Sequence, residues 1–364
     1  MNTIGSGGER RLFLVTALAS RRQIQLAAVI AAIAFLAFTV ALPFVRVPLA
    51  KMPAFIPSYE AALFFIDLIT ALLLFEQFMR LRLAAVLALA CGYLFDAWLI
   101  VPHALSFPGA FAPGGLLGAK MQTTAWLYVF WHGGFPLFVM TYALLRRREA
   151  AGAATKIARP VRAIALSVIA VTALAVVLTV LATVGHDLLP VVMQDSNYSL
   201  LVTKGISPAV WALTLIAMLM LWQRPQRVVD LWLTLVMWIW LFDIALSAIV
   251  GSQRFDLGFY AGRIFGLIAA SFLLITLLVE MARLYAGALG AAADAEQRFA
   301  ELLRARARPE SQRAGRERPE AFAVRQNIAH YRDMLSTEHL NENQRRAIEN
   351  LLTEEEAKLA AKEG

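Results

Sequence analysis

The sequence predicts an all-α membrane protein: a bundle of eight transmembrane helices followed by a cytoplasmic helical tail. Three observations carry that reading. Of 364 residues, 59% are hydrophobic and 16% are charged, against roughly 25% charged in an ordinary soluble domain. The charge deficit falls in residues 23 to about 282, whereas the remainder is rich in Arg and Glu, so two solvents are implied. The apolar runs also have about the 20-residue length that a helix needs to cross a bilayer core.

The expected spans are residues 23–45, 59–79, 83–101, 122–145, 163–184, 207–222, 228–250 and 258–280. The sixth is the shortest. Arg21-Arg22 before the first run has the form of an export signal. The run is long for one, however, and it ends at Phe44-Val45-Arg46 without a small-residue cleavage site. An uncleaved first span is expected.

Eight spans place both termini on one side, and basic residues tell which side. One set of connections holds Arg10, Arg11, Arg21, Arg22, Arg80, Arg82, Arg146, Arg147, Arg148, Lys156, Arg159, Arg162, Arg224 and Arg227. The other holds Arg46, Lys51, Lys120, Lys204 and Arg254. Fourteen against five assigns the first set, with both termini, to the cytoplasm. The same distribution accounts for the net charge of +8. The surplus lies in short clusters between apolar runs, and the segment 284–364 is near neutral with 13 Lys/Arg and 14 Asp/Glu. No nucleic-acid partner is expected; membrane lipid is.

Residues 1–22 are then a cytoplasmic N-terminal segment and 23–282 the membrane domain. Residues 283–308 form a juxtamembrane helix, 309–320 a polar linker, and 321–361 a helical hairpin. In the juxtamembrane helix Met281, Ala288, Ala295 and Leu302 recur every seven residues, with Tyr285, Ala292 and Phe299 four further on. That is a short heptad seam; an amphipathic helix resting on the membrane fits equally. In the hairpin, Val324, Ile328, Tyr331 and Leu335 share one face, and Ile348, Leu351, Leu352 and Leu359 another, with Asn341 a fair N-cap. A lone hairpin buries little, so a partner protein or a second copy of the chain is expected to cover it.

Several stretches are motif-like. Pro57-Ser58-Tyr59-Glu60-Ala61-Ala62-Leu63-Phe64 opens the second span. Gly92-Tyr93-Leu94-Phe95 and Val101-Pro102-His103-Ala104-Leu105 close the third, before a loop that runs Phe107-Pro108-Gly109 to Gly114-Gly115-Leu116-Leu117-Gly118. Gln122-Thr123-Thr124-Ala125-Trp126-Leu127-Tyr128 and Phe130-Trp131-His132-Gly133-Gly134-Phe135-Pro136 open the fourth. Trp240-Leu241-Phe242-Asp243 to Ser247 is followed by Arg254-Phe255-Asp256-Leu257-Gly258-Phe259-Tyr260-Ala261-Gly262-Arg263. Together, over roughly residues 20 to 285, these resemble the membrane-associated sensor domains of the MASE class, fourth type. The resemblance implies an integral sensory module of a bacterial inner membrane, with no established ligand. In that family a diguanylate cyclase or histidine kinase usually follows. Here no Gly-Gly-Asp/Glu-Glu-Phe signature follows the last span. His330, followed by Tyr331-Arg332-Asp333, lacks the Pro of a phospho-acceptor site, and the other late histidine is His339. No enzymatic activity and no catalytic residue are therefore expected.

Ionisable residues at membrane depth are costly and mark sites or buried pairs. Glu60, Asp67, Asp96, His103, His132, Asp243 and Arg263 all fall in the outer half of the expected topology. Glu60 and Asp67 are seven apart, on one helix face, about 10 Å from each other in depth. The inner half holds mainly Glu76 and Glu280, near ends where they reach water. The seven read either as a polar cavity open to the periplasm or as struts such as Asp243 with Arg263. His103 and His132 raise membrane haem. Hydrogen-bonded histidines fit better, because there is no His pair at i, i+4 and no Cys–His cluster, and the single Cys91 sits in an apolar run as a packing residue. No metal and no cofactor are expected. His186 with Asp187 belongs to the interface. The loop 106–121 is either a lid on the bundle or an interfacial segment, and Trp126, Trp131, Trp211 and Tyr260 suit an aromatic belt.

Two functions remain open at this level. One is a sensory, signal-transducing protein that acts through a cytoplasmic partner. The other is a small-solute or ion transporter or a redox carrier; the absence of a visible internal repeat counts against transport.

Overall fold

The computed structural model describes residues 18–152, 156–222, 227–251, 253–313, 319–336 and 340–363. Arg10, Arg11, Arg224, His339 and the centre of the expected linker, 314–318, lie outside the described residues, as do the side chains of Glu280, Ala288 and 305–320. Among the described residues the regular structure is helical, with isolated bridges such as Pro48 to Asp256 and no strand. Two compact units divide between Glu280 and Met281.

The membrane unit is built from α1 (Arg21–Ala41), α2 (Phe55–Leu81), α3 (Ala84–Ser106), α4 (Thr123–Ala150), α5 (Pro160–Thr183), α6 (Ile206–Leu221), α7 (Val228–Ile244) and the start of α8 (Leu257–Arg313). Among the described residues seven helices are long and apolar enough to cross a membrane. The remaining one, α6, has 16 residues, about 24 Å at 1.5 Å per residue. The sequence expectation is eight spans; among the described residues seven helices reach spanning length, and α6, the expected sixth span, falls short of it.

Local chemistry sets the helix ends. Ser20 and Gln23 form a capping box at the start of α1, with Gln23 N donating to Ser20 Oγ at 3.3 Å and Ser20 N to Gln23 Oε1 at 2.9 Å. Arg82, left-handed at φ 57°, ends α2. Pro160 opens α5, where its missing N–H costs nothing. The last turns after α7, Ala245–Val250, wind as a π-helix, a distortion found often beside functional groups.

The core is centred on α3 and α7, whose residues are buried almost throughout. By contrast, α1 buries only Ala27 and exposes Val29, Ile33, Phe35 and Leu36. Likewise α5 exposes Val161, Leu166, Ile169, Val176 and Val177. Apolar faces of this extent would be unstable in water; lipid tails solvate them at no cost. Phe38 stacks on Phe242 at 4.6 Å, and Trp238 Nε1 donates to Ala31 O at 3.4 Å, attaching α1 to α7.

The connections gather at two ends. At one, Leu49 N bonds Phe255 O at 2.8 Å, Leu257 N bonds Val47 O at 2.9 Å, Arg254 N bonds Ser196 O at 3.0 Å, and Gln122 Nε2 bonds Met193 O at 2.8 Å. At the other, Ile157 N bonds Arg82 O at 3.1 Å and Arg147 Nη2 bonds Met220 O at 3.2 Å.

One expectation is corrected here. Trp126, Trp131 and Tyr260 are buried and do not form a belt, and two of them place their polar tips inside the fold: Trp126 Nε1 reaches Pro190 O at 3.0 Å and Tyr260 OH reaches Ala50 O at 2.7 Å. Of the loop 106–121 only the start folds in: Phe107 packs with Ile56 and Phe259, while Phe111, Leu116 and Leu117 stay exposed. Of the heptad positions, Tyr285 and Leu302 are exposed on the single chain, as a face meant for a second copy or for lipid would be, while the neighbouring Leu303 is buried.

In the second unit, α9 (Pro319–Leu335) and α10 (Glu342–Glu363) pack through Tyr331, Ile348 and Leu351. Leu303 and Phe299 from the end of α8 join them, so the expected hairpin gains a third helix. Asn341 caps α10 as expected, accepting from Gln344 N at 2.8 Å. The helix α8 runs to Arg313, past the start expected for the linker.

Candidate functional site

The structure divides the seven intramembrane residues. Glu60, His103, His132, Asp243 and Arg263 converge with Tyr59, Tyr128 and Trp131. Asp67 and Asp96 form a separate, deeper pair between α2 and α3.

In the first group, Glu60 on the second turn of α2 meets His103 on the last turn of α3, with Oε1 2.7 Å from Nδ1. His132 lies midway along α4. Its Nδ1 is 3.1 Å from the Tyr128 carbonyl and its Nε2 3.3 Å from Asp243 Oδ2. A carbonyl can only accept, so the Nδ1 proton belongs there. The opposite nitrogen then faces a carboxylate, and this contact needs one further proton, on His132 or on Asp243. Pro136 reinforces the site, because it supplies no helical N–H to the His132 carbonyl. Asp243 is the hub. Ser247 Oγ lies 3.1 Å from its Oδ1 and 2.7 Å from its carbonyl, and Tyr128 OH lies 3.0 Å from Ser247 Oγ.

Small residues on α8 make this approach possible. A Cβ on Gly262 would stand 2.7 Å from Asp243 Oδ1, and one on Gly266 would stand 3.0 Å from Asp243 Oδ2 and 3.1 Å from Tyr59 OH. The expected Asp243–Arg263 strut does not form. Among the described residues Arg263 makes no ion pair: Nη1 donates to Phe259 O at 2.8 Å and the guanidinium stacks 3.6 Å over the Phe259 ring. The cation takes its own helix turn and a ring in place of the carboxylate, which His132 already occupies.

These eight side chains pack so closely that no water fits between them. This part of the polar half is therefore a dry network. Beside it opens a small cleft of about 40 Å3, to which His103, Tyr128 and Arg263 contribute one edge. Asp67 and Asp96 do not line it. Asp96 and Tyr93 are buried, and Asp67 and Asp96 are electrostatic neighbours.

Two groups of residues escaped the sequence reading. Arg254, Thr124, Tyr198 and Ser247 line the cleft, yet Arg254 reads in sequence as one more loop cation. At the opposite end Arg146 is buried, not solvated, with Nη1 2.7 Å from Asp230 Oδ2; Tyr142 OH donates to Asp230 Oδ1 at 2.7 Å. The available signal was Asp230 itself, an acid in the first turn of a mostly apolar helix. Elsewhere, Glu76 pairs with Arg80 and His186 with Asp187 at 3.0 Å, and Cys91, expected to be a packing residue, is buried. Among the described residues no three His, Cys, Asp or Glu side chains are placed to hold a metal ion.

The family model for the membrane-associated sensor, integral membrane domain (MASE4) matches residues 50–285. It starts after α1, later than the residue 20 suggested by the motifs, and α1 is also the helix least buried in the bundle. No curated protein and no solved structure matches the chain. Helices of membrane-spanning length, the polar cluster on α2, α3, α4, α7 and α8, and a match over most of the chain lead to one conclusion: this protein belongs to the membrane-associated sensor family with the MASE4 integral membrane domain.

Proposed function

We propose that the protein is a signal-transducing receptor of a bacterial inner membrane, with eight spans and both termini in the cytoplasm. A stimulus is detected in the outer half of the membrane, at the end where Glu60, His103, His132, Asp243 and Arg263 gather. The response reaches a cytoplasmic partner through the last unit, and the chain itself performs no nucleotide chemistry. The observation that carries this reading is that Arg263 and Leu303 stand on one helix, Leu257–Arg313: one contributes to the polar cluster and the other to the core of the tail unit.

Eight crossings are supported by the ends of α6. Lys204, just before it, donates to Val191 O at 2.5 Å among the connections of one end, and Met220 near its close accepts from Arg147 at the other. A helix of 16 residues then covers the distance with help from the preceding turn Ser199–Thr203. The excess of basic residues assigns the Arg147 end to the cytoplasm.

The reading is tested in two steps. Reporter fusions near Gly152 and at Gly364 are expected in the cytoplasm, and fusions near Gly114 and Ser196 in the periplasm. A periplasmic Gly364 overturns the topology. A spin label is then placed on Leu302→Cys, which is exposed, while the native Cys91 is buried. Asp243→Asn and His132→Gln are expected to change the label's mobility. A label that responds to neither removes the link between cluster and tail.

A further inference from the structure

The cleft beside the polar network is lined by two guanidinium groups. Arg254 comes from the connection between α7 and α8, and Arg263 from the second turn of α8. Among the described residues neither has a carboxylate within ion-pair distance. Asp256, the acid nearest in sequence, turns its oxygens to Gln253 N at 3.3 Å and Phe259 N at 2.7 Å. Each guanidinium is held flat by an aromatic ring: Arg254 lies 5.0 Å over Phe107 and Arg263 3.6 Å over Phe259. Few of their donors are used. Arg263 gives one hydrogen bond, to Phe259 O; Arg254 reaches the Thr124 hydroxyl and Met193 Sδ at 3.5 Å. A guanidinium carries five N–H donors, so these bonds leave capacity for a ligand on both groups where they line the cleft. The hydroxyls of Thr124, Tyr128, Tyr198 and Ser247 line the same space.

Two like charges in a partly dry site repel, and an unpaired buried charge is strongly unfavourable. Burial first, and the charge of Arg263 second, pull the Arg254 pKa down to about 10. An anion between the two would reverse the sign of this local field. Bidentate contact with planar or tetrahedral oxyanions is the geometry that guanidinium groups favour.

We propose that this cleft binds a small oxyanion, a phosphate or carboxylate group, held between Arg254 and Arg263 and completed by the surrounding hydroxyls. The inference deepens the sensory reading and rests on it for the meaning of the site, though not for binding itself. The group can come from a free anion in the outer compartment or from the headgroup of an anionic lipid.

The full chain in an uncharged maltoside detergent separates the two sources. Its thermal unfolding is followed by tryptophan fluorescence in sodium phosphate, in sodium acetate and in sodium chloride at matched ionic strength, and in chloride with added phosphatidylglycerol. Occupancy by an oxyanion should raise the Tm by about 2–4 °C over chloride. A rise in phosphate or acetate alone identifies a free anion, and a rise only with phosphatidylglycerol identifies a headgroup. Arg254→Gln should weaken binding by roughly tenfold or more, Arg254→Lys less, while Lys51→Gln, an exposed cation at the same end, should leave it unchanged. The proposal is overturned if no oxyanion shifts the wild type, a result that needs no variant to fold, or if the shift survives Arg254→Gln undiminished. Because no signalling is measured, such a failure leaves the tail-label test standing, and a silent tail label leaves the binding result standing.

Discussion

His103 Nδ1 sits 2.7 Å from Glu60 Oε1, with both side chains almost completely buried. The contact closes α2 onto α3 at the end of the bundle where the polar residues gather. Among the described residues Glu60 Oε2 has no hydrogen-bond partner, and His103 is the side chain that pairs with this acid. Removing it leaves a buried carboxylate alone. His103→Ala should destabilise the purified protein by roughly 3–5 kcal/mol, and Glu60→Gln in the same chain should recover part of the loss. Unfolding of the two single variants and the double variant measures the coupling, and additive losses would show that the contact contributes nothing.

At the opposite end Asp230 serves Arg146, the Tyr142 hydroxyl and, through Arg227 N at 3.1 Å, the first turn of α7. Asp230→Ala should therefore cost several times more than Tyr142→Phe, which loses one hydrogen bond worth about 1 kcal/mol. Denaturant unfolding of both variants in detergent gives the comparison. Equal losses would mean that Arg146 finds water when its acid is removed.

Glycines on α8 divide by what surrounds them. Gly262→Ala puts a methyl group 2.7 Å from Asp243 Oδ1 and 2.8 Å from Ser247 Cβ, and overpacking of this kind costs about 1–3 kcal/mol. Gly287 and Gly290 have open space around them, so Gly287→Ala and Gly290→Ala should stabilise the helix by about 1 kcal/mol each. The sign of the change in Tm separates the two classes. A neutral Gly262→Ala would mean that Asp243 can move away from α8 without cost.

Nucleotide chemistry should be absent. Purified protein incubated with GTP or ATP should yield no cyclic dinucleotide and no phosphate on His330. Sustained turnover that tracks the purified chain would overturn this.

The tail unit should depend on its small core and little on its surface charge. Ile348→Ala, at a fully buried position, should melt the packing of α9 on α10 and speed amide exchange there. The pair of Lys358 with Glu354 and Glu355 acts weakly because it is exposed. Hydrogen bonding to Lys358 lowers the Glu354 pKa, and hydrogen bonding to the two acids raises that of Lys358. The carboxylate contribution is thus present above its unfolded value and fades as pH falls through the lowered one. The lysine contribution is complete below its unfolded value and fades as pH rises through the raised one. Protection of the α10 amides, measured relative to the intrinsic exchange rate at each pH, should be greatest between these limits, with a shallow dependence at both ends.

The sequence by itself determined the helices, the residues that need a non-aqueous solvent and the set of costly polar side chains within them. These are local properties: the length of an apolar run, the sign of the flanking charges, and the cost of an isolated ionisable group. Asn341 as a cap and the Ile348–Leu351 face of the hairpin followed from spacing alone. Only the tertiary structure decided who meets whom. It gave Asp243 to His132 and left Arg263 on Phe259, because two glycines on α8 let the backbone come within reach of Asp243. It buried Trp126 and Arg146, which composition assigns to membrane interfaces, because partners for their polar atoms lie on segments remote in the chain. It also separated Asp67 and Asp96 from the other five. Depth along a helix is readable from residue number, but rotation and closeness between helices depend on side-chain packing that no single span contains.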